Sequence, residues 1–370
     1  MHIGLVMECE IRAGADGSKG SGAANSVEAG AFDDVFARAA LVEALGLDGV
    51  WLAEHHFTPP NADASTPGGS IVSSPLVLAA ALGARTERIE IGIAVLVLPL
   101  GHPVRMAEEV ATVDHLTGGR LRLGVGRSGF PRAYAGYGIE YESSRPRFLE
   151  YLDLMRRAWT ESPLQFEGEY YQADGITVSP RPLQSPHPPL RAAATNAGTF
   201  ALMGELGLPI FAGLRGMTTV SLTPAIAEYH EAWQRAGHAG QGDIYLRIPV
   251  FVHEDAERAR SIPEQSALRA YARLRASFAE STGAEGAASE QARTATAKSL
   301  ASSDYETLLR ERLFFGTPDE VRRQLSSLRE ELGLSGFLVE PNVGGMMHAD
   351  TVDNSIRLFA SEVAPALRDE

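Results

Sequence analysis

Apolar positions along this chain fall into two alternating patterns. Compact β-branched and aliphatic runs read as buried strands at residues 3–7, 49–53, 89–96, 120–125, 190–194, 210–213, 246–252 and 336–340. Between them, apolar residues recur at helical spacing. Phe32–Leu45 carries Phe32, Val35, Phe36, Ala39 and Val42 on one face and stops at Gly46. Ser74–Ala84 opens on Ser-Pro, Val104–Leu116 closes on Gly118-Gly119, and Pro146–Trp159 is helical. A further helix follows residues 190–194 and runs up to Gly207, while Leu164–Val178 reads as a hairpin. Glu10–Gly30, rich in Gly, Ser and Ala, reads as a loop inserted after the first strand.

Strands alternating with helices imply parallel pairing and a buried sheet. Eight such units point to an α/β fold with a single closed (β/α)8 TIM-type barrel, one domain over residues 1–370. Ser261–Asp304 is the longest insertion, with helical spacing at Leu268, Tyr271 and Leu274. It is either a surface elaboration or a mobile lid.

Composition narrows the chemistry. The chain has 370 residues, 33 basic and 47 acidic, for a formal charge of −14. A single cysteine, Cys9, excludes an internal disulfide, a Cys-rich zinc site and an iron–sulfur cluster. All basic residues but Lys19 and Lys298 are arginines, and neither lysine has the apolar surroundings of a Schiff-base lysine. The acidic balance argues against nucleic acid or an anionic membrane as partner. No apolar run has the length of a membrane span, and Met1–Met7 lacks a basic signal-peptide start, so the expectation is a soluble cytoplasmic protein.

Sites in such barrels lie at the carboxyl ends of the strands. That rule selects Glu8, then Glu54-His55-His56-Phe57, Ala94-Val95, Gly126-Arg127-Ser128, Thr195-Asn196 with Thr199, His253, and Glu340 with Asn342. Glu54-His55-His56 allows three readings: a metal site completed by other loops, a structural hydrogen-bonded pair, or a neutral histidine acting as base or donor beside a cofactor. Gly124–Gly129 matches G-x-G-x-x-G literally, but Phe130–Gly138 has loop composition and no helix is expected there, so a dinucleotide fold is rejected. Arg127 is still a fixed cation suited to phosphate. Thr195–Thr199 is an ordinary helix cap or an anion cradle, and a neighbouring Arg127 favours the cradle.

Several blocks resemble the bacterial luciferase-like flavin-dependent monooxygenases: Trp51–Thr58, Val97–Arg105, Asp114–Arg127, Gly207-Leu208-Pro209 and Gly316–Val321. The blocks are collinear and cover nearly the whole chain. The resemblance implies a two-component monooxygenase. It would take externally supplied reduced FMN from a separate NAD(P)H flavin reductase and, with O2, oxygenate a small organic substrate through a flavin hydroperoxide. It implies His55 as the catalytic histidine, Arg127 with Thr195, Asn196 and Thr199 at the flavin phosphate, and Ala94-Val95 as a cis peptide under the ring. It implies no resident metal, and a homodimer, for which the small-residue helix Ser74–Ala84 offers a packing face. Luciferases carry a reactive cysteine where this chain has Gly126, and Glu and Ser where it has Thr195 and Asn196. Gly126 is expected to leave room beside the flavin. Phe130, Tyr134 and Tyr137 are expected to line a pocket for an apolar or aromatic substrate. Alternatives are a deazaflavin-dependent hydride-transfer oxidoreductase and a non-catalytic flavin-binding subunit.

Overall fold

The computed structural model describes residues 1–9, 21–57, 70–280 and 303–369, with Thr294, Lys298 and Leu300 besides. Eight parallel strands close into a barrel: β1 (His2–Met7), β2 (Gly49–Leu52), β3 (Glu90–Val97), β4 (Leu121–Gly126), β7 (Leu190–Ala193), β8 (Ile210–Gly213), β9 (Ile244–Val252) and β11 (Gly336–Glu340). Closure runs through pairing of β8 with β9, β9 with β11 and β11 with β1. Between β4 and β7, β5 (Leu164–Glu167) and β6 (Gln172–Ile176) form the expected antiparallel hairpin. A short strand that the sequence does not announce, β10 (Phe314–Gly316), pairs in parallel alongside the carboxyl end of β9.

The period of two explains why these segments are strands and what fills the lumen. In β1 the outward positions Ile3, Leu5 and Met7 join the core beneath the helices. The inward positions are His2, Gly4 and Val6. Val6, Trp51, Phe211 and Leu338 form a separate cluster inside the barrel. Trp51 fits because its neighbours are glycines: a Cβ on Gly4 or Gly92 would stand 2.3 or 2.1 Å from the indole. Below Trp51, the imidazole of His2 accepts from Trp51 Nε1 at 3.3 Å and stacks on Tyr245 at 4.7 Å.

Helices α1 (Ser21–Ala44), α2 (Pro75–Gly83), α3 (Pro103–Leu116), α4 (Pro131–Tyr137), α5 (Ser144–Thr160), α6 (Ala197–Glu205), α7 (Thr219–Arg235), α8 (Ala256–Ser261), α9 (Glu264–Glu280), α10 (Tyr305–Glu311), α11 (Pro318–Leu332), α12 (Ala349–Leu358) and α13 (Ala364–Asp369) complete the described residues. Two expectations are corrected. Residues 21–30, read as loop, are the first turns of α1; they continue a helix whose later turns bury Ala31, Val35, Ala39 and Val42, and packing outweighs their glycine content. Phe130–Gly138, also read as loop, contains α4, opened by Pro131 and ended by Gly138 at φ 68°. A seven-residue helix after a barrel strand does not restore a dinucleotide fold. Residues 10–20 lie outside the described residues.

The Asp114–Arg127 block is largely a clamp. Buried Asp114 accepts from the Gln184 backbone at 2.8 Å and its amide at 2.6 Å. Arg120 donates to the carbonyls of Gly83, Thr86 and Ile89, tying the end of α2 to the start of β4. Thr317 and Glu320 form a reciprocal capping box at α11, with Pro318 in its first turn. Among the described residues no helix is long and apolar enough to cross a membrane.

Candidate functional site at the carboxyl end of the barrel

The strand order β1-β2-β3-β4-β7 places Glu8, His55, Ala94-Val95, Arg127 and Asn196 consecutively around one end of the barrel. Glu8, His55, Arg127 and Asn196 follow their strands and Ala94-Val95 lies within β3 near its carboxyl end, so backbone pairing sets their positions. Two loop residues there adopt left-handed backbone although neither is glycine, Phe57 (φ 48°) and Ser128 (φ 62°).

The two histidines of Glu54-His55-His56 face different surroundings. His56 Nε2 lies 2.6 Å from Glu54 Oε1, and its Nδ1 lies 3.2 Å from the Tyr137 hydroxyl. Glu54 is fixed in turn by the Val97 N–H at 2.8 Å. This trio borders an outer groove of about 870 Å³, shared with Val77, Leu100 and Met106. His55 turns to Glu8 instead: its Nε2 lies 3.1 Å from Glu8 Oε2, an ion-pair distance with the acceptor off the ideal N–H line. The His55 side chain is 36% exposed and Glu8 8%.

Glu8 belongs to a buried charge cluster. Arg247 donates from Nη2 to Glu8 Oε1 and from Nε to Glu340 Oε2, the latter at 3.1 Å. Arg215, just past β8, reaches Glu8 Oε1 at 3.4 Å and also bonds Glu340 Oε1. Burial alone would raise the Glu8 carboxyl, but His55, Arg247 and Arg215 outweigh it and hold it well below the usual carboxylate range. Burial opposed by Arg215 and Arg247 does the same for Glu340, more weakly. Arg312 supports this corner by donating to the carbonyls of Leu214, Arg215 and Met217.

The Ala94–Val95 peptide is cis. Gly126 of the neighbouring β4 pairs with Val97, and a Cβ there would meet Val95 Cγ2 at 2.5 Å. The room expected at Gly126 is therefore taken by Val95. Arg127 donates to Ser144 Oγ at 2.8 Å and lies over the Tyr141 ring at 5.3 Å. Asn196 caps α6, accepting on Oδ1 from the Thr199 N–H at 3.2 Å and the Thr199 hydroxyl at 3.1 Å. Thr195 is exposed, as are Ala197 and Gly198, whose first-turn N–H groups have no intrahelical acceptor. Val125 pairs with Ala192, so Arg127 and this helix start share one side of the barrel mouth.

The three aromatics expected to form one substrate wall do not converge. Tyr134 is buried and bonds the Arg127 carbonyl, Tyr137 belongs to the outer groove, and Phe130 meets Phe278 of α9 edge-on at 6.4 Å. A seven-residue helix turns their side chains to different sides, which a loop reading could not anticipate. Arg215 and Arg247 were missed by the sequence reading. Arg247 is findable as an inward position of β9, two residues from Tyr245, and Arg215 as a charged residue directly after the strand at 210–213. Part of Ser261–Asp304 is α9, whose Ala267 and Tyr271 are buried, and most of its remainder lies outside the described residues.

Comparison with known proteins agrees with this architecture. The profile of the luciferase-like monooxygenases matches residues 5–336. A 4-hydroxyprotoasukamycin monooxygenase of Streptomyces nodosus is 27% identical over 88% of this chain and 84% of its own length. An alkanal monooxygenase α chain of Photorhabdus luminescens is 29% identical over 60% of this chain. The chain spans about half the length of several curated relatives it matches: 58% of that α chain and 48% of an uncharacterized protein of Sinorhizobium fredii. Among solved structures, a monooxygenase of Streptomyces bottropensis superposes with a TM-score of 0.76 at 23% identity, covering 99% of this chain and 100% of the other. The oxygenating constituent of 3,6-diketocamphane monooxygenase from Pseudomonas putida, in complex with FMN, gives 0.72 at 20% identity, covering 99% and 98%. An F420-dependent secondary alcohol dehydrogenase in complex with an F420-acetone adduct shares the fold at a TM-score of 0.71 and 18% identity. With the profile running from the first barrel strand to the start of the last, the chain belongs to the luciferase-like monooxygenase family.

Proposed function

We propose that this protein is the oxygenase component of a two-component system, using reduced FMN from a separate NAD(P)H flavin reductase and O2 to oxygenate a small organic substrate. The observation that carries this reading is the succession His55, Ala94-Val95, Arg127 and the Asn196-capped start of α6 around one barrel end. Flavin, when bound, would supply the oxygen activation that side chains perform poorly.

The residues fit the group. A phosphate suits the Arg127 guanidinium together with the exposed N–H groups that open α6. Ala197 and Gly198 offer no side chain to block it; a Cβ on Gly198 would meet nothing nearer than Asn196 Oδ1 at 3.8 Å. Ala94 and Val95, both apolar and half-buried, would lie against the ring. Thr195 and Thr199 would border the phosphate. His55, at the edge of the Glu8 cluster with its side chain 36% exposed, is the group that holds or moves a proton at the reacting end.

The reading places the protein in the cytoplasm, where NAD(P)H and free reduced flavin are supplied. It also makes the protein a homodimer through α2. That helix buries Leu76, Leu78, Ala79 and Leu82 against its own barrel, while Val77 points outward at 72% exposure beside the outer groove. Light scattering at micromolar concentration tests this; a monomer refutes the dimer.

A binding panel of reduced and oxidised FMN and a deazaflavin, followed by O2 uptake with product analysis, tests the function. Selective binding of reduced FMN with coupled O2 uptake is expected. Preference for the deazaflavin would make it a hydride-transfer oxidoreductase, and binding without product a non-catalytic flavin subunit.

A further inference from the structure

We propose that Glu8 is a positioning residue that fixes the protonation pattern of His55, with Arg247, Arg215 and Glu340 holding Glu8 in register. The proposal rests on the reading of His55 as the proton-handling group of the site. Met7 pairs with Leu52, so backbone pairing sets Glu8 beside the segment leading to His55. The two oxygens of Glu8 have separate duties: Oε1 takes Arg247 and Arg215, and Oε2 faces His55 Nε2 at 3.1 Å. Both arginines also grip Glu340, which is 2% exposed, so the carboxylate of Glu8 is fixed from two sides.

The consequence is chemical. A carboxylate only accepts hydrogen bonds, and Glu8 is held in that form by the cations around it. An imidazole lone pair 3.1 Å from it would be repelled, so Nε2 must carry the proton. Nδ1 is then the nitrogen that gains or loses one. Exposure agrees: Nε2 itself is buried, so the exposed part of the ring is the edge away from Glu8. Residues from five strands, β1, β2, β8, β9 and β11, thus combine to present one nitrogen of His55 to the site.

The isosteric variant Glu8→Gln gives a specific test. Arginines only donate, so they must keep the Gln oxygen. The carboxamide NH2 then faces Nε2, which has to accept, and His55 must switch its proton to Nδ1. The measurement is 15N NMR of histidine-labelled protein without flavin, with the His55 signals identified by their loss in His55→Gln. Expected are the Nε2–H tautomer in the unmodified protein and in Glu8→Asp, which retains an acceptor, and the Nδ1–H tautomer in Glu8→Gln. An Nδ1–H tautomer in the unmodified protein, or one tautomer unchanged by Glu8→Gln, overturns the proposal. If Glu8→Gln fails to fold, the unmodified protein still decides, since Nε2–H is required there. Titration of the same samples with reduced FMN separates the two readings. A tautomer switch without flavin binding leaves Glu8 standing and sinks the functional proposal; binding without a switch does the reverse.

Discussion

Val95 of β3 occupies the space that a side chain at position 126 of β4 would need, since a Cβ on Gly126 would lie 2.5 Å from Val95 Cγ2. The two residues are therefore coupled. Gly126→Ala is expected to displace Val95, lower stability by about 1–3 kcal/mol as overpacking does, and weaken flavin binding. Val95→Ala in the same chain removes the clashing methyl and restores much of both. Thermal denaturation and flavin titration of the two single variants and the double variant check this; additive losses would show that the contact is not shared.

Arg127→Ala should weaken reduced-FMN affinity by roughly 10- to 100-fold, the scale of one charge-assisted phosphate contact. The guanidinium also holds Ser144 and lies over Tyr141, so a small stability loss accompanies it. Fluorescence titration with reduced FMN under anaerobic conditions reads the affinity. Unchanged binding would remove Arg127 from the phosphate site.

His55→Ala should bind flavin nearly normally yet lose product formation by roughly 10²- to 10⁴-fold, the range for a general acid or base. O2 consumption would continue as uncoupled hydrogen peroxide release. Intact turnover in both His55→Ala and Arg127→Ala would mean that the site lies elsewhere.

Acid stability carries two signatures. Burial lowers the His2 imidazole to about 4, so the folded state binds its proton less readily than the unfolded chain. Its contribution to stability is complete above about pH 6.5 and drains away as the pH falls toward 4. Glu8 and Glu340 are also depressed, so their contribution is present above about pH 4.3 and is lost only at lower pH. His2→Gln should reduce the fall in melting temperature between pH 6.5 and 4, where His187 and His230, also lowered by burial, keep the remainder, while leaving the steeper loss below pH 4. An unaltered profile would place the titration on another group.

Cys9 is buried, and burial, with Asp34 and Glu8 nearby, pushes its thiol up to about 12. It should stay unmodified by a thiol reagent in the native protein and react fully after denaturation. Cys9→Ala should retain flavin binding. Rapid native labelling would contradict the burial.

Much of the architecture was legible because the outward faces of parallel strands, packed under helices, make apolar runs. The eight expected barrel strands fall within two residues of those observed. Inward faces were less legible. His2, Arg247 and Tyr245 interrupt otherwise apolar strands, and nothing local distinguishes a lumen-facing charge from a surface one. Residues 21–30 and Pro131–Tyr137 were misread because small-residue and glycine content resembles loop until tertiary packing is added.

The sequence by itself determined the alternation of strands and helices, hence the barrel, and with it the position of His55, Arg127 and Asn196 after their strands as candidates for the site. Tertiary structure decided which of two adjacent histidines meets Glu8 and which borders the outer groove. It also decided that Glu8 meets Arg247, 239 positions away along the chain. Barrel closure lays β11 between β1 and β9, and electrostatic pairing across these three strands depends on distance in space, which residue spacing along the chain does not encode.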